Sequence, residues 1–200
     1  MRAVRQMAML IAVTTVAAAC GAPSSSLTSS RGYVSGPGVV SRVAPEDRVP
    51  LPSVTGRLLD GGQFDSGDHP ETVLVFNVWG SWCPPCRAEA PALQAVWEET
   101  RDRGVQFVGV DVKDSDAAAR AFVREFGISY PSIVTEDSGQ VLLAFHSSLP
   151  PNAIPSTLIV DRQGRVAARI VGETTYTKLR ELLDEVLAES SQPRAAARES

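Results

Sequence analysis

Trp82-Cys83-Pro84-Pro85-Cys86 places two thiols three residues apart inside NVWGSWCPPCRAEAP, residues 77–91. Thiols at that spacing can form a redox couple, half of a zinc site or a short covalent staple. A structural zinc site takes about four ligands. Outside this pair the chain holds only Cys20, His69 and His146, and the two histidines stand far from the cysteines and from each other. A staple is a poor use of the pair, because a disulfide closing so short a loop removes little entropy from the unfolded chain. The redox reading has a physical basis. Cys83 follows an apolar run and opens a helical stretch, where unsatisfied N–H groups and the positive end of the helix dipole favour a thiolate. Cys86, one turn further on, can then resolve a mixed disulfide: Cys83 attacks the substrate, and Cys86 then attacks Cys83 and displaces the substrate sulfur.

The elements that must position these sulfurs alternate between strand and helix. TVLVFNVW (72–79) and VQFVGVDV (105–112) are continuous apolar runs, the pattern of buried central strands. Between them a helix is expected from about Pro85 to Arg103, kinked at Pro91. Gly56–Leu59 and Gln63–Phe64 flank a turn at Asp60-Gly61-Gly62. A second helix, capped by Asp114 or Ser115, runs to Phe126 and stops at Gly127. SIVT (132–135) reads as a short strand and Gly139–Phe145 as a short helix. STLIVD (156–161) and RVAARIVG (165–172) form a hairpin about Arg162-Gln163-Gly164. Thr174–Glu189 is amphipathic, with Leu179, Leu182, Leu183, Val186 and Leu187 on one face. The expectation is a single α/β domain over residues 51–190.

The ends have a different character. MRAVRQ carries Arg2 and Arg5 and is followed by MAMLIAVTTVAAA, an apolar run of 13 residues. A charged segment followed by an apolar one this short is an export signal over residues 1–19 and not a spanning helix. Ala17-Ala18-Ala19-Cys20-Gly21 resembles the bacterial lipobox, in which case Cys20 becomes the lipid-modified first residue; the alternative is a plain secretory signal with an incidental cysteine. With Cys20 acylated, Cys83 and Cys86 remain as an even pair. Residues 20–50, rich in Ser, Gly and Pro, read as a flexible membrane tether, and 191–200 as a disordered tail. The net charge of −4, with no basic run, excludes a nucleic-acid partner.

Trp82-Cys83-x-x-Cys86, Pro91 five residues on, and Ile154-Pro155-Ser156-Thr157 before a hairpin together resemble the thioredoxin superfamily. Within it, NVWGSWCPPCRAE is similar to the TlpA/ResA/CcmG-type thiol–disulfide oxidoreductases anchored to membranes. The resemblance covers residues 51–190. It implies a thioredoxin-like fold, a central mixed sheet flanked by helices, with a TlpA-type insertion from Asp111 to Pro155. It also implies a cis Ile154–Pro155 bond beside the active site, leaving the Ile154 backbone free to pair with an incoming peptide. The implied activity is extracytoplasmic reduction of particular protein disulfides, often apocytochrome c thiols before haem attachment. Electrons would come from another thiol protein in the membrane, and no cofactor beyond the Cys83–Cys86 couple is required.

Several positions refine this expectation. Thioredoxins proper carry an aspartate where this chain has Asn77, which cannot carry a proton. Glu89 matches a glutamate of the ResA-like group, and it heads a helix stripe with Leu93, Val96 and Trp97. A carboxylate there should be desolvated and serve as proton carrier for Cys86; the alternative is a solvated glutamate paired with Arg87. Trp79 and Trp82 could flank the sulfurs, Trp82 at the substrate-docking surface, while Trp97 belongs to the core. Tyr130, Pro131 and Phe145 either shape a cleft or pack the insertion. The two prolines lack N–H groups, so Cys86 is the first residue able to donate to the Cys83 sulfur. Pro85 should also delay the helix start. Fewer donors mean a less stabilised thiolate, which predicts a moderate to reducing couple and not a strong oxidant near about −120 mV. Two competing classes share this fold. A Cu(I) chaperone would use both thiolates and a histidine such as His146. A peroxidase would need a different loop from this tryptophan-flanked pair.

Overall fold

A computed structural model describes residues 33–189; the expected signal sequence, Cys20 and the tail at 191–200 lie outside the described residues. In chain order these form β1 (Val39–Arg42), β2 (Thr55–Arg57), β3 (Gln63–Asp65), β4 (Val73–Trp79), α1 (Pro84–Thr100), β5 (Val105–Asp111) and α2 (Asp116–Glu125). There follow β6 (Ser132–Ile133), α3 (Thr135–Ala144), β7 (Ser156–Val160), β8 (Val166–Val171) and α4 (Tyr176–Glu189). One mixed sheet runs in the order β1-β8-β7-β4-β5-β6. β4, β5 and β6 are parallel, whereas β7 runs antiparallel to β4, β8 to β7 and β1 to β8. β2 and β3 pair apart as a hairpin. The architecture is thioredoxin-like, with α2, β6 and α3 inserted between β5 and β7.

Every residue of β4 is buried, because the strand lies mid-sheet with packing on both faces. Alternation then sends its side chains to opposite layers. Asn77 faces α1, and Phe107, opposite Val75 in the neighbouring strand, meets Trp97 of that helix at 5.8 Å between ring centroids. Phe76 points the other way, toward Phe64 of the hairpin and Phe145 at the end of α3. Trp97 is core, as its place on the helix stripe requires.

Three sequence expectations need correction. Residues 20–50 are not all tether: β1 pairs with the outer edge of β8 from Val39↔Val171 to Arg42↔Ala168, and Val34 is buried. Its four residues, flanked by glycine and proline, are too short and half-exposed to show a strand period. The described fold therefore extends well before residue 51. Helix α1 begins at Pro84, with no delay, because prolines in the first turn lack only N–H groups that have no helical partner there. Helix α3 begins four residues before Gly139 and displaces the second half of the expected strand; Glu136 and Asp137 in its first turn complement the helix dipole.

Candidate active site

Strand directions bring the chemistry to one end of the sheet. β4 ends at Trp79 and delivers Gly80–Cys83. β7 runs antiparallel with Ser156 opposite Val78, so the loop before it, containing Pro155, lies at the same end. β8 closes there too, with Val171 opposite Ser156. Helix α1 leaves from this edge. Cys83 is its N-cap, and the Cys86 N–H lies 3.3 Å from the Cys83 sulfur, the first donor after two prolines. The two cysteines form a disulfide, with Cα atoms 5.3 Å apart, and both are fully buried. The Ile154–Pro155 peptide bond is cis.

Glu89 is 1% exposed, one helical turn beyond Cys86. One carboxyl oxygen accepts from Asn77 Nδ2 at 2.8 Å, the other from the backbone N–H of Thr174 at 2.8 Å. Asn77 also donates to Thr157 Oγ1, so residues from β4, α1, β7 and the β8–α4 connection are linked in one buried hydrogen-bond network. Burial pushes Glu89 up to about 8, against the opposing pull of the Thr174 and Asn77 hydrogen bonds. Arg87 does not pair with Glu89; it pairs with Glu125 and lies over the Phe126 ring. The surface alternative therefore has no geometry to support it.

The aromatic residues divide. Trp79 is buried and stacks on Phe122 of α2 at 4.3 Å. Trp82 is half-buried, and its indole N–H is held by the Val112 carbonyl at 3.2 Å. Ser81 N–H is held in turn by Asp114 at 2.7 Å, so the loop before Cys83 is anchored on the segment following β5. Phe145 is core. Tyr130 and Pro131 line a cavity of about 360 Å³ with Leu59, Val123, Ile128 and Ser132, a lining that includes neither cysteine.

One expectation about the groove fails. The Ile154 backbone is not free: its carbonyl accepts the Val34 N–H at 2.6 Å. The reason is the N-terminal segment that feeds β1, which crosses this end of the sheet before joining the edge.

Residues 47–169 match the AhpC/TSA family. The chain belongs to the AhpC/TSA family. A "Thiol-disulfide oxidoreductase ResA" of Bacillus anthracis is 28% identical over 128 residues, 64% of this chain and 71% of the relative. Among solved structures, a DsbF homologue from Corynebacterium diphtheriae is 31% identical with a TM-score of 0.66, covering 73% of this chain and 92% of the other. A secreted thiol-disulfide isomerase from Corynebacterium glutamicum is 29% identical with a TM-score of 0.67, over 86% and 96% of the two chains.

In this AhpC/TSA-family chain, His146 sits just past the end of α3, with ring Nδ1 2.7 Å from the Leu143 carbonyl oxygen. Among the described residues no group of three or more His, Cys, Asp or Glu side chains could hold a metal ion. Sequence reasoning missed a second buried acid. Asp111, at the end of β5, accepts from Thr135 Oγ1 at 2.8 Å, while its other oxygen is buried without a partner. Burial pushes it up to about 7; the Thr135 hydrogen bond opposes the rise, and Asp114, Asp116 and Glu136 add to it. A lone acid closing an apolar run was the available signal. Thr174 had none, since it acts through its backbone.

Proposed function

We propose that the protein is an extracytoplasmic thiol–disulfide oxidoreductase that reduces protein disulfides with the Cys83/Cys86 dithiol. The observation that supports this reading best is the Cys83–Cys86 pair at the N-terminus of α1, with a buried carboxyl one turn beyond it. In the proposed cycle the Cys83 thiolate attacks one sulfur of a substrate disulfide. That S–S bond breaks, a mixed disulfide forms on Cys83, and the other substrate sulfur leaves as a thiolate that takes up a proton. Cys86 then loses its proton to Glu89 and attacks Cys83. This forms the Cys83–Cys86 disulfide, releases the second substrate thiolate and completes a two-electron transfer to the substrate. A carboxyl pushed up to about 8 has a proton affinity close to that of an ordinary thiol, about 8.5, so its ionised fraction can take the Cys86 proton.

The reducing direction is favoured by the proline pair, which leaves Cys86 as the nearest backbone donor to the attacking sulfur. Re-reduction would require a thiol protein in the membrane, and apocytochrome c thiols are candidate products. Trp82, Ile154 and Pro155 would form the substrate edge. Export through residues 1–19 and a lipid anchor on Cys20 would place the domain outside the cytoplasm, in keeping with the secreted thiol-disulfide isomerase of C. glutamicum.

Trapping decides the matter. A Cys86→Ser chain should hold its substrate on Cys83 as a mixed disulfide, identifiable by mass. Capture that persists in Cys83→Ser, or is absent from Cys86→Ser, would reject the cycle. Turnover of peroxide without a disulfide substrate would instead establish the peroxidase alternative. Stoichiometric Cu(I) binding lost in His146→Ala would establish the chaperone.

A further inference from the structure

The segment before β1 is seated on the edge where a substrate peptide would lie. Val34 donates its N–H to the Ile154 carbonyl at 2.6 Å, and its side chain is 2% exposed. Three residues later Pro37 bridges Glu173 in parallel, and the Gly38 N–H binds the Glu173 carbonyl at 2.8 Å. Lys178 Nζ holds the Gly38 carbonyl at 2.9 Å. Glycine is required at this crossing, because a Cβ on Gly38 would stand 2.6 Å from the Glu173 carbonyl oxygen and 2.9 Å from that of Gly172. The Gly172 N–H in turn binds the Pro155 carbonyl at 2.9 Å. Residues 34–38 thus form a strap across the loop bearing Pro155 and the connection bearing Thr174, the backbone partner of Glu89.

With the strap seated, the Ile154 carbonyl that a substrate backbone would pair with is taken. We propose that residues 34–38 are a tethered competitor for the substrate groove, and that an extended, unfolded segment of a disulfide-bearing protein enters by displacing Val34 from Ile154. The inference rests on the reading of Ile154 as part of the substrate edge. The strap also indicates what the groove accepts. Its polar contact to Ile154 is made by the main chain, which recognises any extended backbone. The Val34 side chain lies against Gly172, where an added Cβ would be 3.4 Å from Val34 Cγ1, so the subsite favours a small apolar residue. A tethered competitor acts at an effective concentration on the order of millimolar, so it yields only to a partner that gains more from the groove. Small disulfides, which need no backbone pairing, gain nothing from its release.

The full chain tests this with an unstructured peptide disulfide carrying valine beside one cysteine, compared with 2-hydroxyethyl disulfide. Val34→Pro removes the donated N–H, and Gly38→Ala forces the crossing apart. Each should raise the ratio of kcat/KM for the peptide over the small disulfide by about threefold to tenfold, the scale of one lost competing hydrogen bond. An unchanged or lowered ratio in both variants overturns the proposal. Should the variants not fold, amide hydrogen exchange on the Cys86→Ser chain answers instead. With the peptide held on Cys83, the Val34 and Gly38 amides should lose protection, while Val43, bonded to the Ala167 carbonyl, keeps it. Protection at Val34 that survives peptide loading overturns the strap's role. A chain that captures no peptide at all would overturn the oxidoreductase reading itself, and the competitor role would fall with it.

Discussion

Glu89 couples the stability of the fold to pH. Its carboxyl is buried between two N–H donors, and burial outweighs both, leaving it protonated up to about pH 8. An unfolded chain would release that proton near its ordinary value, about 4.3. Between those two values the folded protein binds a proton the unfolded chain lacks, so folding weakens as pH rises through the window and levels off above it. The melting temperature should therefore fall between pH 5 and pH 9, and Glu89→Gln should flatten the fall. Asp111, raised to about 7, acts in the same direction and should leave a shallower residual slope. The same Gln variant should also lose the exchange-rate inflection near pH 8, since an amide takes no proton from Cys86. An unchanged pH profile would separate Glu89 from the chemistry while leaving the stability prediction standing. Asn77 holds this carboxyl without titrating, which is how the chain uses a position where thioredoxins proper place an acid.

At the scale of the element, the N-terminus of α1 sets the character of the sulfur it caps. Pro84 and Pro85 fill the first turn at no cost to helix hydrogen bonding, yet they withhold two donors from Cys83. Pro85→Ala restores one N–H beside the sulfur and should stabilise the reduced form by about 1 kcal/mol, making the potential roughly 20 mV less negative. Equilibration with a glutathione buffer measures it. A shift to more negative values would show that donor count does not govern the couple. The helix was legible because its apolar stripe and its caps are local features. Its start was misplaced by two opposing proline rules, of which the tolerance of the first turn prevailed.

At the scale of the molecule, the N-terminal segment is stitched to the domain at both ends of the sheet. The strap crosses the active-site end. At the opposite end Arg48, its side chain only 5% exposed, binds Asp161 after β7 and Glu189 at the end of α4. Asp161 also receives Arg165, so removing Arg48 leaves a buried carboxylate partly compensated. Arg48→Ala should destabilise the fold by about 3 kcal/mol, measured by denaturant unfolding. A loss below about 0.5 kcal/mol, the range of ordinary surface substitutions, would mean that the segment docks without supporting the core.

By itself the sequence determined the alternation of strands and helices, the Cys83–Cys86 pair and the depth of Glu89. Each rests on contacts within a few residues or on a period that repeats along one element. Tertiary structure alone decided that Thr174, 85 residues away, completes the Glu89 site, and that Asp111 is buried with one oxygen unpartnered. It alone seated Val34 on Ile154. Backbone donors and carbonyls are the same in every residue, so composition carries no trace of which distant pair will meet; only the folded register brings them together.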